Sequence, residues 1–376
     1  MHFNKRYSLI TSFIFIAFAS IVVIQLIIWL FIFLRLGYYQ NDKSSHDPLP
    51  ISIVISAHDE LENLKELIPI LTSQQYSQYE IIVVEDRSND DTYDFLLTET
   101  KQNSKVRIVK VDSLPSGVNG KKYALTLGIK AAKYDNILFT DADCRPNSPL
   151  WLEEMQKGFQ EGKEIVLGFS PYIRKRGLLN LFIRFETIYS AIQYLSLALV
   201  GLPYMGVGRN LAYKRSLFLK NKGFNNHIRV MGGDDDLFVN ENANKKNVTI
   251  VINPDAKVYS LPKTTWKEWY TQKKRHLSVG KRYKFKFKFI LGLLAFLQIF
   301  FWIFFILAII LTPYKIITLG LFFAKALVMV IVYLIILKKL DEKLPLGLLP
   351  FLDFIYSFYF VTIGASALFS KKNRWK

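Results

Sequence analysis

Apolar runs long enough to span a bilayer sit at both ends of this chain, and nothing else in the sequence limits its fold as strongly. Residues 9–34 are apolar apart from Gln25 and a few Ser and Thr. A run of this length suits a retained membrane helix, whereas a cleaved signal peptide has a shorter apolar core and a small-residue cleavage site. Arg35 to Tyr39 then supplies a basic and aromatic interfacial anchor. Three more apolar runs follow near the other end, at residues 289–311, 315–337 and 345–369. The last two each contain one charge, Lys325 and Asp353. Charges inside membrane segments are costly and are usually paired or functional. Either these two face each other across an antiparallel pair of helices, or Asp353 lies near an interface and Lys325 snorkels.

Between the runs lies an ordinary globular mix. This segregation accounts for a chain that is 51% hydrophobic and yet carries a net charge of +18. Lys and Arg cluster beside the apolar runs, which points to anionic lipid. The aromatic and basic stretch 281–288 is read as a lipid-contact face. Nucleic acid is the weaker reading of the charge, because no zinc-finger spacing or RNA-binding signature occurs. Cys144 is the only cysteine, so no intramolecular disulfide can form.

The globular segment begins at Ile51, after a polar linker at 37–50. Its pattern alternates strand and helix. Strands are expected at 51–56, 79–84, 106–111, 136–140, 164–168 and 248–252, with helices at 60–71, 92–100 and 121–132. Such alternation argues for a mostly parallel α/β sheet with right-handed crossovers. No G-x-G-x-x-G follows the first strand, so a dinucleotide fold has little support. The apolar stretch 177–202, with Arg184 and Glu186 embedded, reads as a helix that packs as core or lies in the membrane interface, and the interface is slightly favoured.

In an open α/β sheet, ligands bind beyond the carboxyl ends of the strands. The run Ile137-Leu138-Phe139 ends in Thr140 and then Asp141-Ala142-Asp143. Two carboxylates at such a place suit a hard divalent cation, and Mg²⁺ takes few protein carboxylates while sharing substrate phosphates. Three other acidic groups follow strands or occupy nearby loops: His58-Asp59-Glu60, Glu85-Asp86 and Asp234-Asp235-Asp236. A metal-bound nucleotide diphosphate together with a catalytic base gives all four clusters one explanation.

In these motifs the chain resembles the membrane-bound family 2 glycosyltransferases of the inverting GT-A type. It is similar in layout to ceramide and hopanoid glucosyltransferases, and more distantly to cellulose and hyaluronan synthases. ISIVISAHDE, IIVVEDRSNDDT, GKKYALTLGI, FTDADC, GGDDDLFVN and QKKRH follow one another in the family's order. There are departures: Ser56 stands for a proline, Glu85 for the first Asp of its turn, Thr126 for Asn and His276 for Trp. The resemblance implies a GT-A domain, Rossmann-like and mostly parallel, over residues 51–288. It would be flanked by a helix at 1–36, a membrane region of two or three segments at 289–370 and a basic tail at 371–376.

The resemblance also implies roles. Asp86 would accept a hydrogen bond from the base, Glu60 and the backbone at Ala57 would hold the nucleoside, and His58 would flank the base. Lys121 would approach the diphosphate or ribose. Asp141 and Asp143 would hold ribose, metal and diphosphate, with Asp143 in direct metal contact and Mg²⁺ or Mn²⁺ as the ion. Inversion needs one general base, placed here at Asp235 or, in another register, Asp234, with Asp235 preferred. Gln272, Arg275 and His276 would sit over the acceptor or diphosphate, and Arg209 and Asn210 would line the acceptor site.

The expected activity is metal-dependent transfer from a nucleotide-diphosphate sugar, UDP-linked, to a lipid or membrane-proximal glycan acceptor, as part of cell-envelope chemistry. A processive polysaccharide synthase is the runner-up, and His276 in place of Trp weighs against it. A non-catalytic nucleotide-binding scaffold is the rival from another class. Cytosolic nucleotide sugars imply a multi-pass protein of the cell membrane with a cytoplasmic catalytic domain. One leading and three trailing spans would then place both basic termini outside, against the positive-inside rule. Either 345–369 is re-entrant or interfacial, or the rule is overridden.

Overall fold

The computed structural model describes residues 2–40, 47–160, 162–364 and 366. The basic tail at 371–376 and the end of the last apolar run lie outside the described residues. The chain divides into two compact units, one drawn from Met1–Tyr39 and Lys284–Lys371, the other from Gln40–Tyr283.

The first unit is helical. Four of its helical segments are long and apolar enough to cross a membrane: Leu9–Tyr38, Phe285–Leu311, Lys315–Lys339 and Leu346–Gly364. Phe18, Leu297, Phe301 and Ala308 form part of its buried apolar core. Gln25 reaches across to donate to the Leu297 carbonyl at 2.9 Å. Lys325 and Asp353 do meet, with Nζ and Oδ2 2.9 Å apart and both side chains buried.

The second unit is built on a seven-stranded sheet. In chain order its main elements are β1 (Ile51–Ala57), α1 (Leu61–Thr72), β2 (Tyr79–Glu85), α2 (Thr92–Gln102), β3 (Val106–Lys110), α3 (Gly120–Ala131) and β4 (Asn136–Phe139). There follow β5 (Cys144–Pro146), α4 (Trp151–Gln156), β6 (Ile165–Gly168), α5 (Leu178–Leu199), β7 (Leu211–Lys214) and α6 (Asp236–Asn242). The unit closes with β8 (Val248–Val251), β9 (Val258–Ser260) and α7 (Trp266–Val279). The strand order is β3-β2-β1-β4-β7-β6-β8. Strands β1 to β4 pair in parallel. Strand β7 runs antiparallel to both its neighbours, and β6 pairs with β8 in parallel. The sheet is therefore mixed but mostly parallel, and the short strands β5 and β9 form a separate antiparallel pair.

Strands β1 and β2 are buried on both faces, as a central parallel strand covered by helices must be. Helix α3 lies so close to them that a Cβ on Gly128 would come within 2.7 Å of Val54 and Val84. The long helix α5 packs as core, which corrects the slight preference for a membrane-interface role. Most of its residues are buried, including Arg184 and Glu186. Glu186 is paired with Lys273 of α7, so this embedded charge is answered within the unit and needs no lipid headgroup.

Candidate active site

Because β1, β2 and β4 run in parallel, their carboxyl ends share one edge of the sheet. The loops there carry His58 to Glu60, Asp86 and Asp141 to Asp143. Strands are spaced about 4.8 Å apart, so the ends of β2 and β4 stand about 10 Å apart, with β1 between them. That separation suits a nucleoside whose base lies at one end and whose diphosphate lies at the other.

At the β2 end, Asp86 closes the strand by donating its backbone N–H to the Ala57 carbonyl at 2.7 Å. The Asp86 side chain is almost buried, and its Oδ1 accepts from Arg87 Nε at 2.8 Å. His58 Nδ1 lies 2.6 Å from the Asp86 carbonyl oxygen, so that nitrogen carries the proton and donates. The two loops interlock further, because Asn89 N–H donates to Asp59 Oδ1 and Asp59 N–H to Ser88 Oγ. Glu60 accepts from Asn63 at 2.6 Å. Burial, with added repulsion from Asp143 and Asp141, raises its pKa.

At the β4 end, Asp141 Oδ1 accepts from Lys121 Nζ at 2.7 Å. The same ammonium lies 3.5 Å from Asp234 Oδ2. Burial works against charge on Lys121, but Asp141 and Asp234 outweigh it and its pKa is raised. Burial likewise opposes ionisation of Asp141, yet the Lys121 charge holds its pKa below the ordinary range, with help from Arg209 and Arg275. The side chains of Asp141, Asp143 and Cys144 bring their ligand atoms within 4.8 Å of one another. The Cys144 thiol is buried and held protonated, mainly by burial, and it donates to Asp143 Oδ1 at 3.4 Å. A hard divalent cation prefers the two carboxylates to this thiol. Two carboxylates remain, a donor set suited to Mg²⁺ or Mn²⁺. Arg145 fixes this turn by donating to the Ala142 and Cys144 carbonyls at 2.9 and 2.8 Å.

The three consecutive acids differ. Asp234 faces Lys121. Asp235 accepts from Gly208 N–H at 2.8 Å and from Asp236 N–H at 2.7 Å, capping α6. Asp236 is turned inward, where the Tyr283 hydroxyl donates to it at 2.7 Å. Burial first, and then the neighbouring Asp234, raises the pKa of Asp235. Lys121, Thr140, Asp141, Gly208, Asp234 and Asp235 line one open pocket together with apolar side chains that include Phe139 and Tyr213.

Gln272, Arg275 and His276 fall on one face of α7 through their i, i+3, i+4 spacing. His276 is exposed, and its Nε2 lies 3.5 Å from Arg275 Nη2. Arg209 stacks over the Tyr172 ring at 4.5 Å and donates to the Ser170 carbonyl. Asn210 departs from expectation. It is fully buried, its amide donates to the Phe169 and Ala256 carbonyls, and its oxygen accepts from Trp151 Nε1. It pins β7 to its surroundings and does not line an acceptor site.

Several residues of this neighbourhood escape sequence reading. The Gly208 amide and Tyr283 leave no polar signature. Lys122 reads as a surface lysine, yet it is fully buried, and its Nζ donates to the His227 and Val230 carbonyls. The buried Thr140 hydroxyl lines the pocket with no protein partner among the described residues.

Comparison with known proteins agrees with this geometry. The model for "Glycosyl transferase family 2" matches residues 52–219, and that for "Glycosyl transferase family group 2" matches residues 137–338. The poly-beta-1,6-N-acetyl-D-glucosamine synthase of Staphylococcus epidermidis is 27% identical over 169 residues, 41% of this chain and 40% of that protein. The 4,4'-diaponeurosporenoate glycosyltransferase of Staphylococcus haemolyticus is 30% identical over 151 residues, 38% of this chain and 39% of that protein. These matches thus span about two-fifths of the length of the curated relatives. Among solved structures, a mannosyltransferase from Pyrobaculum calidifontis in complex with GDP-Man and Mn²⁺ superimposes with a TM-score of 0.58. The superposition covers 94% of this chain and 100% of that one at 16% identity, and it shows a shared GT-A-type fold. Since the second family match alone runs through more than half of the sequence, this chain belongs to glycosyl transferase family 2.

Proposed function

We propose that the enzyme moves a sugar with inversion from a UDP-linked donor to a hydroxyl of a lipid or membrane-proximal glycan, with Asp235 as the general base. The observation that carries this reading is the shared pocket. Asp235, its pKa raised, lines the same space as Lys121 and Asp141. A base must be poised beside the reacting centre and hold the acceptor proton as the new bond forms. Gly208 and Asp236 fix the Asp235 carboxylate through backbone N–H groups, so its orientation does not depend on a mobile side chain. Lys121, held between Asp141 and Asp234, stands where a diphosphate would gather negative charge.

Asp141 and Asp143 would hold Mg²⁺ or Mn²⁺. Bound there, the ion would neutralise charge on the departing diphosphate. The four candidate spans support a multi-pass membrane protein, and a nucleotide-sugar donor held in the cytosol would require the catalytic unit on that side. A second reading, processive synthesis of a polysaccharide, is favoured by similarity to the poly-beta-1,6-N-acetyl-D-glucosamine synthase.

The test is UDP release by detergent-purified protein given a panel of UDP-sugars and a membrane lipid extract. Release with one donor, abolished by chelation, supports the metal-dependent transfer. A single discrete product supports single transfer, and a ladder of lengths supports the synthase. Release only from GDP-linked sugars would overturn the UDP assignment. Nucleotide binding without turnover under any donor would leave the scaffold reading.

A further inference from the structure

Asp86 carries two oxygens with different fates. Oδ1 is occupied by Arg87 Nε, whereas Oδ2 has no hydrogen-bond partner among the described residues, although the side chain is only 9% exposed. This oxygen is not sealed from solvent, so it is free to accept from a ligand that reaches the sheet edge. Gly120 opens the space beside it. A Cβ there would lie 2.9 Å from Asp86 Oδ2 and 3.2 Å from Arg87 Nη2, so an acceptor and a donor border the same spot. The chain also holds Arg87 at a φ of 58°, a left-handed conformation that side-chain-bearing residues seldom adopt. Strain of this kind persists where the surroundings enforce it and often marks a functional clamp. Here it accompanies a guanidinium turned back onto the preceding residue.

We propose that Arg87 is the specificity-determining residue of the nucleotide site. By filling one oxygen of Asp86, it leaves a single acceptor beside a donor, an edge that reads uracil and disfavours guanine. The inference rests on the donor reading above, in which Asp86 faces the base. Uracil presents one N–H flanked on both sides by carbonyls. The N–H donates to Asp86 Oδ2, and either flanking carbonyl accepts from the Arg87 fork, so uracil fits in both directions. Guanine presents an N–H next to an amino group, two adjacent donors that a free carboxylate would accept with both oxygens. With Oδ1 taken, its amino group either meets the Arg87 donors or turns away without an acceptor. An unmatched buried polar group is a strong source of discrimination.

Calorimetric titration of the full chain in detergent with UDP and with GDP, in the presence of Mn²⁺, tests this. The wild type is expected to bind UDP at least tenfold more tightly than GDP. Arg87→Gly, which suits the backbone at this φ, is expected to lose most of that preference through a gain in GDP affinity. Arg87→Asn, another residue that tolerates this conformation, guards against a folding artefact, and an unchanged melting temperature checks both variants. If the wild type binds UDP but the variants keep its UDP-to-GDP ratio, the inference falls and the donor reading stands. If the wild type prefers GDP, or binds neither nucleotide, the donor reading falls and takes the inference with it.

Discussion

Asp234, Asp235 and Asp236 are chemically identical and adjacent, yet the fold gives them three tasks. One answers a lysine, one is held by two backbone amides at the pocket, and one is buried against Tyr283. A base works only when ionised. Burial and Asp234 raise the Asp235 pKa, so activity should be lost as pH falls through that raised value, above the ordinary carboxylate value of 3.8. Asp235→Asn should lower kcat by about 10² to 10⁴ and keep UDP binding. Asp234→Asn removes a like charge, so the acid limb of its kcat/KM profile should move to lower pH while activity persists. An active Asp235→Asn beside a dead Asp234→Asn would reverse the assignment. The acid triplet itself was visible in the sequence. Its division of labour was not, because it depends on the Gly208 amide and the Tyr283 hydroxyl, which come from distant loops.

Helix α3 binds the site together through two neighbouring lysines that face different ways. Lys121 reaches the pocket. Lys122 runs inward, its Nζ 2.7 and 3.1 Å from the His227 and Val230 carbonyls and 2.9 Å from His227 Nδ1. The backbone N–H of Asn119, which caps the helix, donates to the Ile228 carbonyl. The first turn of α3 thus grips the segment 227–230, just ahead of the acid triplet. Burial lowers the Lys122 pKa to about 8 and that of His227 to about 4. Because the ammonium donates to Nδ1, His227 carries its proton on Nε2. Lys122→Met would leave two carbonyls unanswered, at a cost of about 1 to 3 kcal/mol. The expected result is a lower melting temperature and a kcat reduced at least about tenfold through a misplaced base loop, with UDP affinity little changed. Equal losses in kcat and UDP affinity would show that Lys122 supports the whole site rather than this loop. At this scale the parallel half of the sheet was legible, because β1, β2 and β4 are apolar runs ending in acids. Strand β7 was hidden, since Leu211–Lys214 is short and sits in a glycine-rich, basic stretch. Helix α5 was misjudged because its buried Glu186 is answered by Lys273 of α7, a partner that periodicity cannot reveal.

In both units, charges buried in apolar surroundings are paired with a charge of the same unit, Glu186 with Lys273 and Lys325 with Asp353. In the helical unit the Lys325 ammonium meets Asp353 and lies 4.3 Å over the Phe301 ring. Gln298 donates to the Asp353 carbonyl at 3.0 Å, and Ser357 bonds back to Gln298 and Asp353. The pair therefore links segments that lie far apart in sequence, and it is one of the two arrangements that isolated charges in long apolar runs left open. Breaking such a pair should cost more than deleting it, because a single substitution strands the remaining charge away from water. Lys325→Leu and Asp353→Leu should each lower the melting temperature in detergent, consistent with a loss of about 3 to 5 kcal/mol for a broken buried pair. The double variant should recover much of that loss, since it buries two apolar side chains and no charge. A double-mutant cycle in detergent measures the coupling directly. Losses that simply add would mean that each charge is held by its other neighbours, Lys325 by the Phe301 face and Asp353 by the Gln298 and Ser357 cluster.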